Sequence, residues 1–380
     1  MASRSKRKKS PELPDPTNPL KRTKNNVLDE ESSLRASASA LQRLLDFSDL
    51  HESASIRQRF DTISSTLLHD FTIVVQTGLG SGSDSVETRL QIMEMELYFW
   101  NSTCHRDPFT HRSQEQKTAG QWYFHRIPRR SNDSTQTLIS TSGYRGGTRK
   151  GLDLTISGIT PTESRYFLSS SSSHPDSYGG VLLRTLRDLN SGKIISGPSL
   201  LVDHILQLSG AERIPDLVEN HWGNDTNAFN NTCLGERKTC MFLCPSPNTN
   251  TRLHIYKSPR IGLDLSHPDT TASPTHPRVE FISQPYRYFV HPERLTANRR
   301  AQTLLGVLPQ KELSGLKDKT VDAYLAEYQA GMDRKAKLEE FMGARGKGVS
   351  SSPTKYMKLM GCIESLKAGR SAAGDDDGAN

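Results

Sequence analysis

The sequence predicts an α+β protein: a single mixed, mostly antiparallel β-sheet domain with peripheral helices, between a disordered basic N-terminal tail and a helical, then disordered, C-terminal extension. Three observations lead there. Short β-branched or alternating runs recur between residues 71 and 290 with turn residues between them, as in strands joined by hairpins. Helical periodicity is confined to a few stretches, at 34–47, 61–68, 200–208 and beyond residue 295. The two ends differ in composition from the middle and are too polar to bury a core.

Residues 1–31 carry basic clusters at Lys6 to Lys9 and Lys21 to Lys24 around Pro11, Pro14, Pro16 and Pro19. This composition is that of a solvated tail and resembles a bipartite nuclear-localisation signal, so a nuclear protein is expected. The first 26 residues contain eight Lys or Arg against Glu12 and Asp15, and so carry +6 of the net charge of +7. A basic groove elsewhere must therefore come from local arrangement rather than bulk charge. Residues 32–54 read as a helical lead-in and 55–295 as the sheet domain. Residues 296–366 read as a helical extension able to bind a protein partner, and 367–380 as a disordered tail.

With 380 residues and 34% hydrophobic content, one large domain plus unpacked margins fits the chain. No signal segment is evident and no apolar run approaches the roughly 18 residues of a membrane span. Five sparse cysteines are then expected as reduced thiols, and no membrane association is expected. A monomer is expected.

Within the domain, residues 71–76 read as a strand and 78–85 as a hairpin turn rather than a phosphate loop, since no Lys-Ser/Thr follows. The partner strand is organised around residues 88–112. Ile92, Glu94, Glu96 and Tyr98 share one face of an extended chain, and Met93, Met95, Leu97 and Phe99 the other. A polar loop then brings His105, Asp107 and His111 back. Further strands are expected at 120–125, 152–156, 181–186, 252–265 and 281–290, and an amphipathic helix opens at Gly197-Pro198. Tyr144, Arg145, Arg149 and Lys150, in a glycine-rich segment, suit backbone-phosphate contact, with a charged hairpin turn as the alternative.

Acids, imidazoles and aromatics at one strand end allow a metal site, a salt-bridged structural face, or general-base catalysis beside an aromatic platform. No HxH, HExxH or paired-Asp motif supports the first. The order of seven short motifs decides among the others. Glu94-Met95-Glu96-Leu97-Tyr98, Asp107-Pro108-Phe109-Thr110-His111-Arg112, Trp122-Tyr123-Phe124-His125, Val181-Leu182-Leu183-Arg184-Thr185-Leu186, Gly197-Pro198-Ser199-Leu200-Leu201, Ser258-Pro259-Arg260-Ile261-Gly262-Leu263 and Arg287-Tyr288-Phe289-Val290 run in order over most of residues 55–295. Together they resemble a divergent, fungal-type member of the alkyladenine (3-methyladenine, methylpurine) DNA glycosylase family.

The resemblance implies a monofunctional base-excision repair hydrolase acting on double-stranded DNA. It would flip out a 3-methyladenine, 7-methylguanine or hypoxanthine type of purine and need no cofactor or metal. By match, Glu96 activates water, Tyr98 stacks on the base, His111 lines the pocket and Arg184 holds the water or the DNA backbone. Glu94 is the secondary acid. His125 stands where the family has a second pocket tyrosine, and Asp153 or Thr155 lies nearest the family's guanine-excluding asparagine. The intercalating residue has no match, Tyr144 being the nearest candidate. The loop before Gln121 is shorter than in the family, so DNA docking is expected to differ. The alternative is a catalytically inactive nucleic-acid-binding or protein-interaction module on the same fold; a metal-dependent hydrolase is a third.

Overall fold

A long strand, β2 (Val86–Asn101), organises the sheet. The structure is a computed structural model that describes residues 36–78, 85–127, 143–158, 176–230, 237–246, 252–310 and 316–374. The basic N-terminal clusters, most of the glycine-rich turn and the serine run at 169–173 fall outside these.

The class is α+β, as the sequence indicates, with ten strands in one curled sheet. Its main path runs β4 (Trp122–Phe124), β5 (Leu152–Thr155), β6 (Ser177–Asp188), β2, β1 (Phe71–Thr77) and β8 (Thr239–Pro245). Every pairing between its described strands is antiparallel. Along one edge β2 pairs with β6; along the other, its first half pairs with β1 and its second half with β10 (Arg287–Phe289). A strand of 16 residues thus holds three neighbours and brings Glu96 opposite both Leu182 and Arg287.

The alternation expected along β2 is broken once. The register with β6 shifts between Ile92 and Met95, the signature of a β-bulge, which inserts a residue and re-aims the side chains beyond it. Before the bulge Leu90 and Ile92 enter the core; after it Met95, Leu97 and Phe99 do. Ile92 therefore does not share a face with Glu94, Glu96 and Tyr98 as simple parity suggests.

The core lies between the sheet and the helices. From α1 (Ser53–His69), Ile56, Phe60, Ile63 and Leu67 are wholly buried, a spacing that lays one helical face on the sheet. Phe60 meets Tyr286 edge-on at 4.9 Å, and Phe47 packs on Phe99 at 4.6 Å. The predicted helix start at Gly197-Pro198 is found in α2 (Pro198–Ser209), with Gly210 in the left-handed conformation as its C-cap. Residues 281–290 divide into the end of α3 (Pro277–Ile282) and β10, and only Tyr256–Ser258 (β9) of residues 252–265 is a strand.

The C-terminal region adds α4 (Ala301–Val307), α5 (Asp318–Met332) and α6 (Pro353–Gly374), the last running beyond the expected end at residue 366. One hydrophobic cluster extends from Leu41 to Ile363 and takes in both the lead-in and the C-terminal helices. Cys104, Cys244 and Cys362 are free thiols, whereas Cys240, expected as a thiol, is disulfide-bonded.

Two residues placed by sequence near the chemistry belong to the core instead. His105 is fully buried, its Nδ1 on the Phe99 carbonyl at 2.9 Å and its Nε2 on the Tyr286 hydroxyl at 3.0 Å. Asp107 is fully buried and receives a fork from Arg260, at 2.5 and 3.2 Å. Removing one partner of such a pair leaves an uncompensated buried charge. Asp107→Asn is therefore expected to lower the stability measured by urea unfolding by about 3–5 kcal/mol.

Candidate active site

Glu94, Glu96 and Tyr98 project from the non-core face of β2 after the bulge, and the neighbouring strands complete the site. Glu94 is buried beneath two guanidinium groups. Arg287 Nε donates to its Oε1 at 2.7 Å and Arg184 Nε to the same oxygen at 3.1 Å. Thr185 donates to Oε2 at 2.5 Å. Burial by itself raises a carboxyl pKa, but Arg287 and then Arg184 outweigh it and bring Glu94 down to about 2.

Glu96 is held differently. The backbone N–H of Ile261 donates to Oε1 at 2.7 Å, and the Tyr98 hydroxyl donates to Oε2 at 2.8 Å. Arg184 Nη1 stands 3.3 Å from Oε2. A carboxylate offers about four lone-pair sites, so acceptor capacity remains for one further donor such as water. The Tyr98 phenol is pushed well above its usual range by burial and then by Glu96, so it stays a donor. Its half-buried ring carries the Arg260 guanidinium over it at 4.4 Å.

Glycines extend this face across the sheet. Tyr98 lies opposite Gly180 on β6. A Cβ at Gly180 would stand 2.6 Å from Asp153 Oδ2, so only glycine lets the β5 carboxylate lie over β6 beside the tyrosine. Asp153 Oδ1 then meets His125 Nε2 at 2.8 Å, and Gln116 donates to Oδ2 at 3.3 Å. A Cβ at Gly151 would stand 2.5 Å from the His125 ring, which reserves that space for the imidazole. His111 packs edge-on against His125 with centroids 4.3 Å apart. The turn that delivers His111 includes Arg112 in the left-handed region at φ 52°, a conformation costing a non-glycine residue about 1 kcal/mol or more.

The sequence-predicted pocket residues Glu96, Tyr98, Arg184, His125 and His111 thus come together on one face. His111 keeps an exposed surface while dense protein surrounds the rest of it, as at a recess. Desolvation by that protein, reinforced by His125, lowers its imidazole to about 4. It is neutral at physiological pH. Thr155 is excluded from the recess chemistry, because its hydroxyl donates to the Thr118 carbonyl at 2.5 Å and accepts from the Gln121 N–H at 2.8 Å. Asp153 is the polar wall.

The expected DNA-contact residues separate. Tyr144, Arg145 and Lys150 line a cleft of about 620 Å³ with Asp203 and Arg213. Tyr144 is clamped under the Arg126 guanidinium, 4.0 Å above its ring, and Lys150 pairs with Asp203. Arg145 donates to the Arg126 carbonyl at 2.9 Å, while Arg149 is exposed. Arg287 and the Ile261 N–H, named in sequence only as parts of motifs, prove to hold the two glutamates. A cation flanked by Tyr286, Tyr288 and Phe289 was the available signal for Arg287. Among the described residues no group of three His, Cys, Asp or Glu side chains could hold a metal ion, and no helix is long and apolar enough to cross a membrane.

No family model matches the chain, and no solved structure matches it. It is similar to an uncharacterized protein of Acanthamoeba polyphaga mimivirus, 26% identical over 245 residues that cover 64% of this chain and 89% of the viral protein.

Two measurements test these electrostatics. A carboxyl with a lowered folded-state pKa stabilises the fold above its unfolded value and loses that contribution as pH falls through the folded one. Glu94→Gln is therefore expected to cost about 3 kcal/mol in urea unfolding at neutral pH, and its deficit should shrink between pH 4.5 and about 2. His111 should titrate by NMR near pH 4. Because Asp153 acts to raise that value, Asp153→Asn should move the midpoint lower still.

Proposed function

We propose that the protein is a monofunctional DNA glycosylase that hydrolyses the N-glycosidic bond of an alkylated or deaminated purine in double-stranded DNA. The observation that carries this reading is Glu96, two residues from Tyr98 on one strand. It is gripped by Arg184 and the Ile261 N–H and shares its sheet face with the His125–Asp153 pair. The same positions are those through which the sequence resembles the alkyladenine DNA glycosylases.

Duplex DNA hides the glycosidic bond, so the damaged purine is first turned out of the stack, which is easiest where pairing is already weakened. The purine stacks on Tyr98, a contact worth about 1–3 kcal/mol, and its edge meets His111 and His125. A water bound at the remaining lone pair of Glu96 gives its proton to the carboxylate while its oxygen bonds to C1′. The C1′–N9 bond breaks and its electron pair leaves with the base. Positive charge gathers on the sugar as the bond lengthens, and the carboxylate lowers its energy.

Glu94, held near 2, is too weak a base for this step at neutral pH. A purine alkylated at N3 or N7 arrives cationic and departs neutral, and the neutral His111 does not repel it. The basic clusters before residue 26 fit nuclear import, and the chemistry needs no metal or nucleotide cofactor.

One observation favours a second reading. Glu96 has no exposed surface, as would suit a non-catalytic module that binds nucleic acid or a protein partner. Incubation with duplexes carrying hypoxanthine, ethenoadenine or 7-methylguanine, then alkali to reveal abasic sites, separates the two. Wild type is expected to release base, and Glu96→Gln to lose about 100-fold or more in rate with DNA affinity retained. Release that persists in Glu96→Gln removes that residue as the base. No release from any duplex, with salt-sensitive DNA binding indifferent to Glu96 and Tyr98, establishes the second reading.

A further inference from the structure

The C-terminal helix α6 reaches the catalytic carboxylate from the side opposite in sequence. It is locked in place by backbone contact with α5. A Cβ at Gly361 would stand 2.0 Å from the Tyr328 carbonyl oxygen, and one at Gly331 would stand 2.2 Å from that of Lys358. Gln302 of α4 donates to the Ser350 carbonyl at 3.2 Å just before the helix, and Lys367 donates to Ser283 at 2.7 Å near its far end. The helix is therefore a fixed part of the fold, and its first turns bury Tyr356, Met357, Leu359 and Met360.

Tyr356 has no exposed surface, yet its hydroxyl has no hydrogen-bond partner. Two neighbouring cations are each short of a partner too. Arg287 uses Nε on Glu94 and Nη1 on Ser258, leaving Nη2 unpaired; Arg260 uses Nη1 and Nη2, chiefly on Asp107, leaving Nε unpaired. The charged groups that act on the Tyr356 phenol are Glu96, Arg260 and Arg287, so these atoms belong to one buried cluster. Burial first, then Glu96, holds the phenol well above its usual range, and it remains a donor. Several orphaned polar atoms gathered in one buried place mark the position of an ordered water, which needs two to four polar partners.

We propose that Tyr356 is a positioning residue of the active site: its hydroxyl and Arg287 Nη2 hold one buried water against the Glu96 carboxylate. The C-terminal helix thereby fixes the orientation and proton affinity of Glu96. Its catalytic meaning rests on the glycosylase reading, but the contact itself does not. A donor to the carboxylate favours its charged form, so losing the bridge raises the pH at which Glu96 protonates.

Tyr356→Phe keeps the ring and its packing and tests this by three readouts, with Lys355→Ala, exposed on the same turn, as control. The expected results are a lower urea midpoint, an upward shift of the Glu96 carboxyl titration followed by 13C NMR, and about tenfold slower base release in kcat with KM unchanged. The acid limb of the rate–pH profile should move upward with the titration. A merely structural tyrosine would leave that limb in place. If the variant is as stable as wild type or more so, with the Glu96 titration unmoved, the hydroxyl is an unused orphan and the proposal fails. If wild type releases no base at all, the midpoint and the titration still decide it, so failure of the glycosylase reading is told apart from failure of this one.

Discussion

Two glutamates and two arginines share one buried site between β2, β6 and β10, and the structure is arranged so that none of them is left alone. Taking a single charge out of water costs several kcal/mol, and only well-placed opposite charges with good hydrogen bonds return it. Glu94 and Glu96 come from β2, Arg184 from β6 and Arg287 from β10. The network can close only if three strands are in register at once. A slip of one residue in any of them would point a charge into the core. The fold and the chemistry are bound to the same constraint.

Within that network the two carboxylates have unlike tasks. Glu94 takes both guanidinium groups on one oxygen and a hydroxyl on the other, and its low proton affinity makes it the anion that keeps the arginines in place. Glu96 has one backbone N–H, one phenol and one side of Arg184. It is held without being saturated, which is what a base needs. The bulge at residues 92–95 creates the distinction by shifting parity, so that both acids leave the core face. The glycines at 180 and 151 then clear the path for Asp153 and His125.

Much of this was legible in sequence, and what was not has physical causes. Alternation found β2, and the acids and phenol two apart showed which side chains would meet. Parity alone could not locate the bulge, because an inserted residue leaves no compositional mark between Ile92 and Met95. His105 and Asp107 looked equivalent to His111 as polar residues in one loop. Their burial depends on Arg260 and Tyr286, more than 150 residues away along the chain. Residues 252–265 have strand-like composition, yet only the part facing β10 pairs, since β10 is itself three residues long. Arg287 escaped notice as a site residue because its partner Glu94 is distant in sequence and near only through the β2·β10 register.

The C-terminal helices show the same limit most clearly. Lys, Glu, Ala and Leu patterning marks α5 and α6 as amphipathic, and an amphipathic helix outside a compact domain reads as a partner-binding surface. Here the apolar side of α6 is consumed by the core. Among the described residues, what it leaves to solvent includes Lys355 and Glu364, so an incoming protein would meet polar side chains rather than a hydrophobic groove. Gly331 and Gly361 allow the two helices to touch backbone to backbone, and that close approach drives Tyr356 inward to the charged centre. A segment that helps to enclose buried charges cannot be withdrawn without admitting water to them. The boundary between domain and extension is thus one of sequence, not of physical structure.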